Sequence, residues 1–274
     1  MENKNIENIN NIGESLFADP LTFKKAVLLC FFSIGLEFSS HFIAHLFKLS
    51  IGLLPNIIYL VSVLLIARVI GKHELKKILV WRGMPVSIFA SVLILFFGFQ
   101  ILMSEFRNLF NILFPVPEGF FDGMFYMPDN VILLIISMGL FPGFSEEILF
   151  RGIIERKFLR IYSPVKAILL SSLLFGIMHV NPWQAVNAFF GGIFIGWIYW
   201  RYRSIWFCMF IHAYYNTLIA LLPLPYTKIN SLQYIEEWRH PLWFILLGAG
   251  LFVLGLLLVI VLSRSELKTE KNNG

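Results

Sequence analysis

Two adjacent glutamates and an arginine stand inside an otherwise apolar stretch of this 274-residue chain. Glu146, Glu147 and Arg151 interrupt the run from 131 to 154, and an ionised group deep in a bilayer costs at least ~2.5–3.5 kcal/mol. On a helix, Glu147 and Arg151 are i,i+4 neighbours and can neutralise each other. Glu146 points about 100° further round and has no partner on its own helix. It must be protonated, paired with another helix, or functional.

Three further polar residues interrupt apolar segments later in the chain. His179 ends the stretch Phe175-Gly-Ile-Met-His179, and His212 and Asn216 share one face of a helix because they are four residues apart. Counted from the cytoplasmic ends of their segments, these residues and Glu146 lie ~15–22 Å deep, so they can meet in one layer. A histidine accepts a proton near neutral pH, and a carboxylate can share that work. Such a cluster suits general acid–base chemistry on water.

The elements that carry these residues are predicted to be membrane-spanning helices. The chain is 58% hydrophobic and only 14% charged, whereas a soluble domain carries about 25% charged residues. We therefore predict an all-α polytopic membrane protein, a bundle of about eight transmembrane helices with a polar site buried in its core. Residues 1–20 are predicted to be a solvated tail, 21–264 one membrane-embedded domain and 265–274 a second tail. The predicted spans are 24–46, 55–70, 86–103, 130–155, 165–180, 183–200, 204–222 and 241–263.

The distribution of basic residues predicts the orientation. In this arrangement, 18 of the 22 Lys and Arg residues fall on one side of the membrane, the side that holds both termini. That side is predicted to be cytoplasmic. Because the basic residues lie between apolar segments and form no continuous face, nucleic acid is not an expected partner. Cys30 and Cys208 lie in apolar runs and indicate neither a disulfide framework nor a thiolate metal site.

A second polar stripe lies in the first predicted span. Glu37, His41 and His45 follow one another at i, i+4 and i+8, a spacing that could ligate a metal ion. His45, however, is predicted at the outer interface, where water satisfies it. The stripe is more consistent with the lining of a cavity than with a metal site.

Taken together, the three motifs resemble those of the CPBP family. They are Glu146-Glu147-x-x-x-Arg151, Phe175-x-x-x-His179 and His212-x-x-x-Asn216, each on its own apolar segment. This family contains the CAAX prenyl proteases and the bacteriocin-processing enzymes, also called Abi proteins, which are intramembrane endopeptidases. The resemblance covers roughly residues 85–222. It implies cleavage of a peptide bond within the membrane, near the cytoplasmic side.

The resemblance also implies roles for individual residues. Glu146 and His179 would activate the water, and His212 and Asn216 would face the developing oxyanion. Glu147 and Arg151 would hold the fourth helix in place. The implied partners are membrane lipid and a peptide or lipidated protein substrate, which in CAAX proteases is a prenylated C-terminal tail.

Two alternatives remain open at this point. We expect a metal-free mechanism, because Asn216 beside His212 suits a second oxyanion donor; the alternative is zinc, held by Glu146, His179 and His212 with an open water position. The rival functions are a proton-coupled transporter and a non-catalytic immunity or scaffold protein. Transporters commonly show repeats and paired broken helices, and Pro142-Gly143 has no evident counterpart in the sequence.

The orientation can be tested by labelling with a membrane-impermeant thiol reagent. We expect Asp122→Cys to be labelled in intact cells and Lys268→Cys only after the cells are opened, because the loop at about 104–128 is predicted to be external. A variant lacking both native cysteines is the background. The opposite pattern would overturn the orientation.

Overall fold

Helices are the only regular elements in the part of the chain that the structure describes. The computed structural model describes residues 21–46, 53–70, 79, 83–117, 120, 130–221 and 240–273. The predicted tail at 1–20 and residues 118–119 and 121–128 of the predicted external loop lie outside these ranges. The first part of that predicted loop is helical, because the helix that begins at Val86 continues to Leu113 and does not end at 103. Eight helices follow in order: α1 Phe23–Leu46, α2 Leu54–Ile70, α3 Val86–Leu113, α4 Val131–Phe158, α5 Pro164–Met178, α6 Pro182–Tyr202, α7 Ile205–Leu221 and α8 Leu242–Asn273.

The helices confirm the predicted all-α membrane fold. Four of the described helices, α1, α3, α4 and α8, are long and apolar enough to cross a membrane, and α2, α5 and α7 are shorter apolar helices. Large apolar side chains such as Phe42 on α1 and Leu257 on α8 are exposed, as expected where a helix faces lipid tails rather than water. The chain is an integral, multi-pass membrane protein.

The chain divides into two compact units. The first contains Met1–Arg82 and Phe121–Thr227, and the second contains Gly83–Phe120 and Lys228–Gly274. In the first unit, α1 packs on α2, α2 on α4, α4 on α7 and α5 on α6. The second unit is the pair of α3 and α8. All of the candidate site residues belong to the first unit.

Helix α4 is continuous but not uniform. Two wider π-helical segments, Ile135–Leu140 and Ile148–Glu155, flank a regular segment, Phe141–Glu147, that begins just before Pro142. Proline lacks a backbone N–H and breaks the regular ladder, so a change of winding beside it has a clear cause. The two glutamates therefore stand at the end of the regular segment, where the helix widens again.

The connection between α5 and α6 is short and strained. His179 follows the last residue of α5, and Val180 adopts a positive φ of 61°, which is uncommon for a β-branched residue. The side chain of Asn181 then accepts a hydrogen bond from the Gln184 N–H (2.9 Å) and caps α6. Gly176 faces Ala185 while the more distant Gly192 faces Ser172, which shows that the two helices run antiparallel, as the short connection predicts.

Small residues bring α3 and α8 close together in the second unit. A Cβ atom on Gly98 would lie 2.7 Å from the Phe252 Cα and 2.8 Å from the Gly248 carbonyl oxygen. Gly255 meets the backbone of Leu95 in the same way. Because lipid tails offer no hydrophobic driving force between helices, such close backbone packing is what holds a membrane helix pair together.

We expect Gly98→Ala to lower the stability of this pair. The added methyl group meets backbone atoms that cannot rotate away, and overpacking of this kind costs about 1–3 kcal/mol. Gly250→Ala is the matched control, since its Cβ has no neighbour within 4 Å. Unfolding of both variants in mild detergent measures the difference. Equal stability of the two variants would contradict the close packing of α3 and α8.

Candidate functional site

The two glutamates of α4 both meet His212 of α7. The Glu147 Oε1 atom lies 2.7 Å from the His212 Nδ1, and the Glu146 Oε2 atom lies 3.8 Å from the His212 Nε2. Glu147 is fully buried, and His212 is 5% exposed. The sequence predicts that Glu146 has no partner on its own helix. In the structure, its carboxylate faces His212 of α7. One imidazole ring therefore lies between two adjacent carboxylates.

The contact with Glu147 assigns the protons of His212. An ionised carboxylate only accepts hydrogen bonds, so the His212 Nδ1 must be the donor. The Nε2 atom, which faces Glu146, is then the nitrogen that can exchange a proton. Glu147 thus fixes both the orientation and the tautomer of His212.

Arg151 connects α4 to two neighbouring helices. Its Nη1 donates to the same Glu147 oxygen (3.0 Å), and its Nη2 donates to the Gly192 carbonyl of α6 (3.0 Å). The guanidinium carbon lies 5.0 Å from the centre of the Phe175 ring on α5. Arg151 is 1% exposed, and a buried charge of this kind is tolerated only when it is paired and hydrogen-bonded. The i,i+4 pairing with Glu147 is present, as the spacing predicts.

Phe175 places the second histidine beside the first. The rings of His179 and His212 both meet Phe175 edge to face, with centroid distances of 5.0 and 5.7 Å. The His179 Nδ1 lies 2.9 Å from the Phe175 carbonyl oxygen. A carbonyl only accepts, so Nδ1 carries the proton and Nε2 is left as the acceptor nitrogen. His179 is therefore in the tautomer that can take a proton through Nε2.

Helix α7 approaches α4 closely because two glycines of α4 leave room for it. A Cβ atom on Gly143 would lie 2.8 Å from the Ala213 backbone nitrogen, and one on Gly139 would collide with the Thr217 hydroxyl. Ala213 follows His212 and Thr217 follows Asn216, so the two contacts fix the position of both polar residues along α4. Asn216 is half-buried, one turn after His212.

The predicted residues are not all brought together to the same extent. Glu146 and Glu147 each lie close to His212, and Arg151 is connected to His212 through Glu147. His179 is connected to this group through the Phe175 ring, which both histidines contact. Among the described residues, no three His, Cys, Asp or Glu side chains form a group that could hold a metal ion. In the first-span stripe, Glu37 is half-buried and His41 exposed; the side chain of His45 lies outside the described residues.

Two polar residues of this region were not predicted from the sequence. Glu155 is fully buried one turn beyond Arg151, and its Oε2 lies 3.8 Å from the Arg151 Nε. The Ser171 hydroxyl of α5 donates to the same oxygen (3.2 Å). The signal was present, because Glu147, Arg151 and Glu155 continue one i,i+4 series. Ser171 carries no such signal, since it reaches the cluster only through the packing of α5 on α4.

Comparison with known proteins supports the family resemblance. Residues 128–218, which hold all three motifs, match the model of the Rce1-like family, described as "Type II CAAX prenyl endopeptidase Rce1-like". The chain is 28% identical over 204 residues to the protein named "Putative membrane peptidase YdiL" of Bacillus subtilis (strain 168), with 71% of this chain and 77% of that protein covered. No solved structure matches the chain. The resemblance to the CPBP family is confirmed.

A double-mutant cycle tests the coupling of the buried pair. We expect Glu147→Gln and Arg151→Gln each to lower the free energy of unfolding by about 3–5 kcal/mol, because each leaves one charge buried without its partner. The double variant should be more stable than either single variant, since it leaves neither charge. Unfolding in mild detergent gives the four values, with Lys166→Gln, an exposed charge, as the control. Strictly additive losses would show that the two side chains do not interact.

Proposed function

We propose that this chain, which resembles the CPBP family, is an intramembrane endopeptidase with a site built around Glu146, His179, His212 and Asn216. Its substrate is a membrane-associated or lipidated peptide or protein, and the nucleophile is a water activated by Glu146 and His179. The observation that carries the proposal is the position of His212 between two carboxylates: the fully buried Glu147, which orients it, and the half-buried Glu146, which it faces through Nε2. A purely structural histidine needs the first carboxylate but not the second.

The hydrolysis would proceed in two proton transfers. Glu146 takes a proton from the water as the water oxygen attacks the carbonyl carbon of the peptide bond. The His179 Nε2 is the neighbouring acceptor of a hydrogen bond from this water. The proton then passes to the leaving amine as the carbon–nitrogen bond breaks. This sequence consumes one water per peptide bond and leaves Glu146 ionised again.

The oxyanion that forms between these steps needs hydrogen-bond donors. Asn216 offers its amide N–H, and His212 offers Nε2–H when the ring is protonated at both nitrogens. Glu147 orients the ring through Nδ1, and Arg151 holds Glu147 in place. Donors fixed in advance by buried contacts stabilise developing charge without reorganising, which is the main source of catalysis in such sites.

The orientation and the substrate complete the proposal. Both termini are cytoplasmic, as the distribution of basic residues indicates, so the substrate reaches the site from the cytoplasmic half of the membrane. A lipidated or hydrophobic peptide would partition into the bilayer and approach the buried residues laterally. The transporter and the immunity or scaffold protein are the alternative outcomes of the test below.

We expect Glu146→Gln to abolish turnover and Asn216→Ala to lower kcat by about 10²–10³ with little change in KM. The first change removes the base, and the second removes one oxyanion donor, whose loss typically costs that factor. The assay uses purified protein and an internally quenched peptide with an S-farnesyl cysteine three residues before its C-terminus. The same peptide without the farnesyl group tests the need for a lipid.

The control for these variants is Glu105→Gln on α3, which changes a carboxylate outside the site. Both site variants must also insert and unfold like the unmodified protein. Full turnover of Glu146→Gln would contradict the proposal and leave a transporter or scaffold. An Asn216→Ala variant with raised KM and normal kcat would make Asn216 a substrate contact.

The metal-free preference is tested in the same assay. We expect activity to survive chelation, and the purified protein to contain less than stoichiometric zinc. Activity that is lost on chelation and restored by zinc would instead assign Glu146, His179 and His212 as ligands.

A further inference from the structure

A tyrosine of the second helix is buried, and its hydroxyl has no partner among the residues that the structure describes. Tyr59 on α2 is 6% exposed, and its Oη has no hydrogen-bond partner among the described residues. The large majority of buried side-chain polar atoms are hydrogen-bonded. Leaving such a hydroxyl unpaired is costly, so this one requires an explanation.

The position of Tyr59 relates it to Glu146. Helix α2 packs against the segment Phe141–Glu147 of α4, which carries both glutamates, and also against α1. The charges of Glu146 and of Glu37 on α1 both act on the Tyr59 hydroxyl. Tyr59 therefore lies on a helix that contacts the segment carrying Glu146, within electrostatic reach of that carboxylate.

Glu146, like Tyr59, has a buried oxygen atom without a hydrogen-bond partner among the described residues. Its Oε2 is buried and has no hydrogen-bond partner among the described residues, because the His212 Nε2 at 3.8 Å is beyond hydrogen-bond length. A carboxylate oxygen only accepts, whereas a phenol hydroxyl both donates and accepts. One water molecule held by both groups would satisfy each of them.

We infer that Tyr59 is a further residue of the catalytic site, which holds the attacking water together with Glu146. This inference rests on the proposed function. The water donates one hydrogen to the Glu146 carboxylate and the other to the His179 Nε2, and it accepts a hydrogen bond from the Tyr59 hydroxyl, so that its remaining lone pair faces the carbonyl carbon of the substrate. On attack, the first proton passes to Glu146 and later to the leaving amine as the carbon–nitrogen bond breaks. Tyr59 keeps its own proton throughout and serves to orient the water.

A structural role for the hydroxyl makes the opposite prediction. If Tyr59 only filled space, phenylalanine would fill it equally well and would remove a buried polar atom that has no partner. Tyr59→Phe would then be neutral or stabilising and would leave turnover unchanged. Under our inference the same variant is at least as stable as the unmodified protein but turns over more slowly. Stability and activity therefore move in different directions only if the hydroxyl acts in catalysis.

The experiment compares Tyr59→Phe with the unmodified protein in the farnesylated peptide assay. We expect kcat to fall roughly 10- to 100-fold, as for the loss of a hydrogen bond that serves a charged group, with KM within about twofold. The midpoint of thermal unfolding in detergent should not fall. Tyr162→Phe, which removes a tyrosine hydroxyl from the half-buried ring below Lys166, is the matched control and should keep full kcat.

Two outcomes overturn the inference. Unchanged kcat in Tyr59→Phe would show that the hydroxyl does not contact the reacting water. A fall in kcat that comes with a proportionate loss of thermal stability would make Tyr59 a packing residue. Glu146→Gln is measured in parallel, because an active Glu146→Gln variant refutes the proposed function itself. An inactive Glu146→Gln variant with a fully active Tyr59→Phe variant refutes the Tyr59 inference alone.

Discussion

The structure of the site depends on the burial of ionised groups where water cannot solvate them. One oxygen of Glu147 accepts from both Arg151 (3.0 Å) and His212 (2.7 Å), so a single atom balances a cation on its own helix and orients a histidine on another. An ionised carboxylate without these partners would be strongly disfavoured at a buried site where water cannot solvate it. The Oε2 of the adjacent Glu146 has no contact this short among the described residues, since the His212 Nε2 lies 3.8 Å away.

The packing of the neighbouring helices allows the short contact between Glu147 and His212. A contact of 2.7 Å between side chains of two helices requires their backbones to be close, and Gly139 and Gly143 provide that closeness between α4 and α7. Phe175 of α5 contacts the arginine and both histidines. In a membrane, where apolar surface alone does not drive helices together, such close packing and polar contacts carry the association. The same contacts therefore hold the unit together and position its chemistry.

Much of this could be predicted from the sequence, and the remainder depends on long-range packing. The helix positions were predictable, because each span is a long apolar segment, and the Glu147–Arg151 contact was predictable from its four-residue spacing. The wider turns of α4 were not, since they arise where Pro142 interrupts the helix within a packed unit. The sequence could not predict that His212 contacts Glu147 rather than Glu146, because His212 and Glu147 are 65 positions apart. Residue spacing reports neighbours on one helix, not the rotation of one helix against another.

The sequence distances of these contacts bear on how the chain enters the membrane. During synthesis α4 emerges before α6 and α7. Arg151 can pair with Glu147 one turn away on the same helix, so α4 can enter the bilayer with this pair already neutralised. The other partners come later: the Gly192 carbonyl follows Arg151 by 41 positions, and His212 follows Glu147 by 65. The local pair therefore permits insertion before the site exists. His212 contacts Glu147 only once α7 has docked, so the cluster is completed after the helix that carries both glutamates has entered the bilayer.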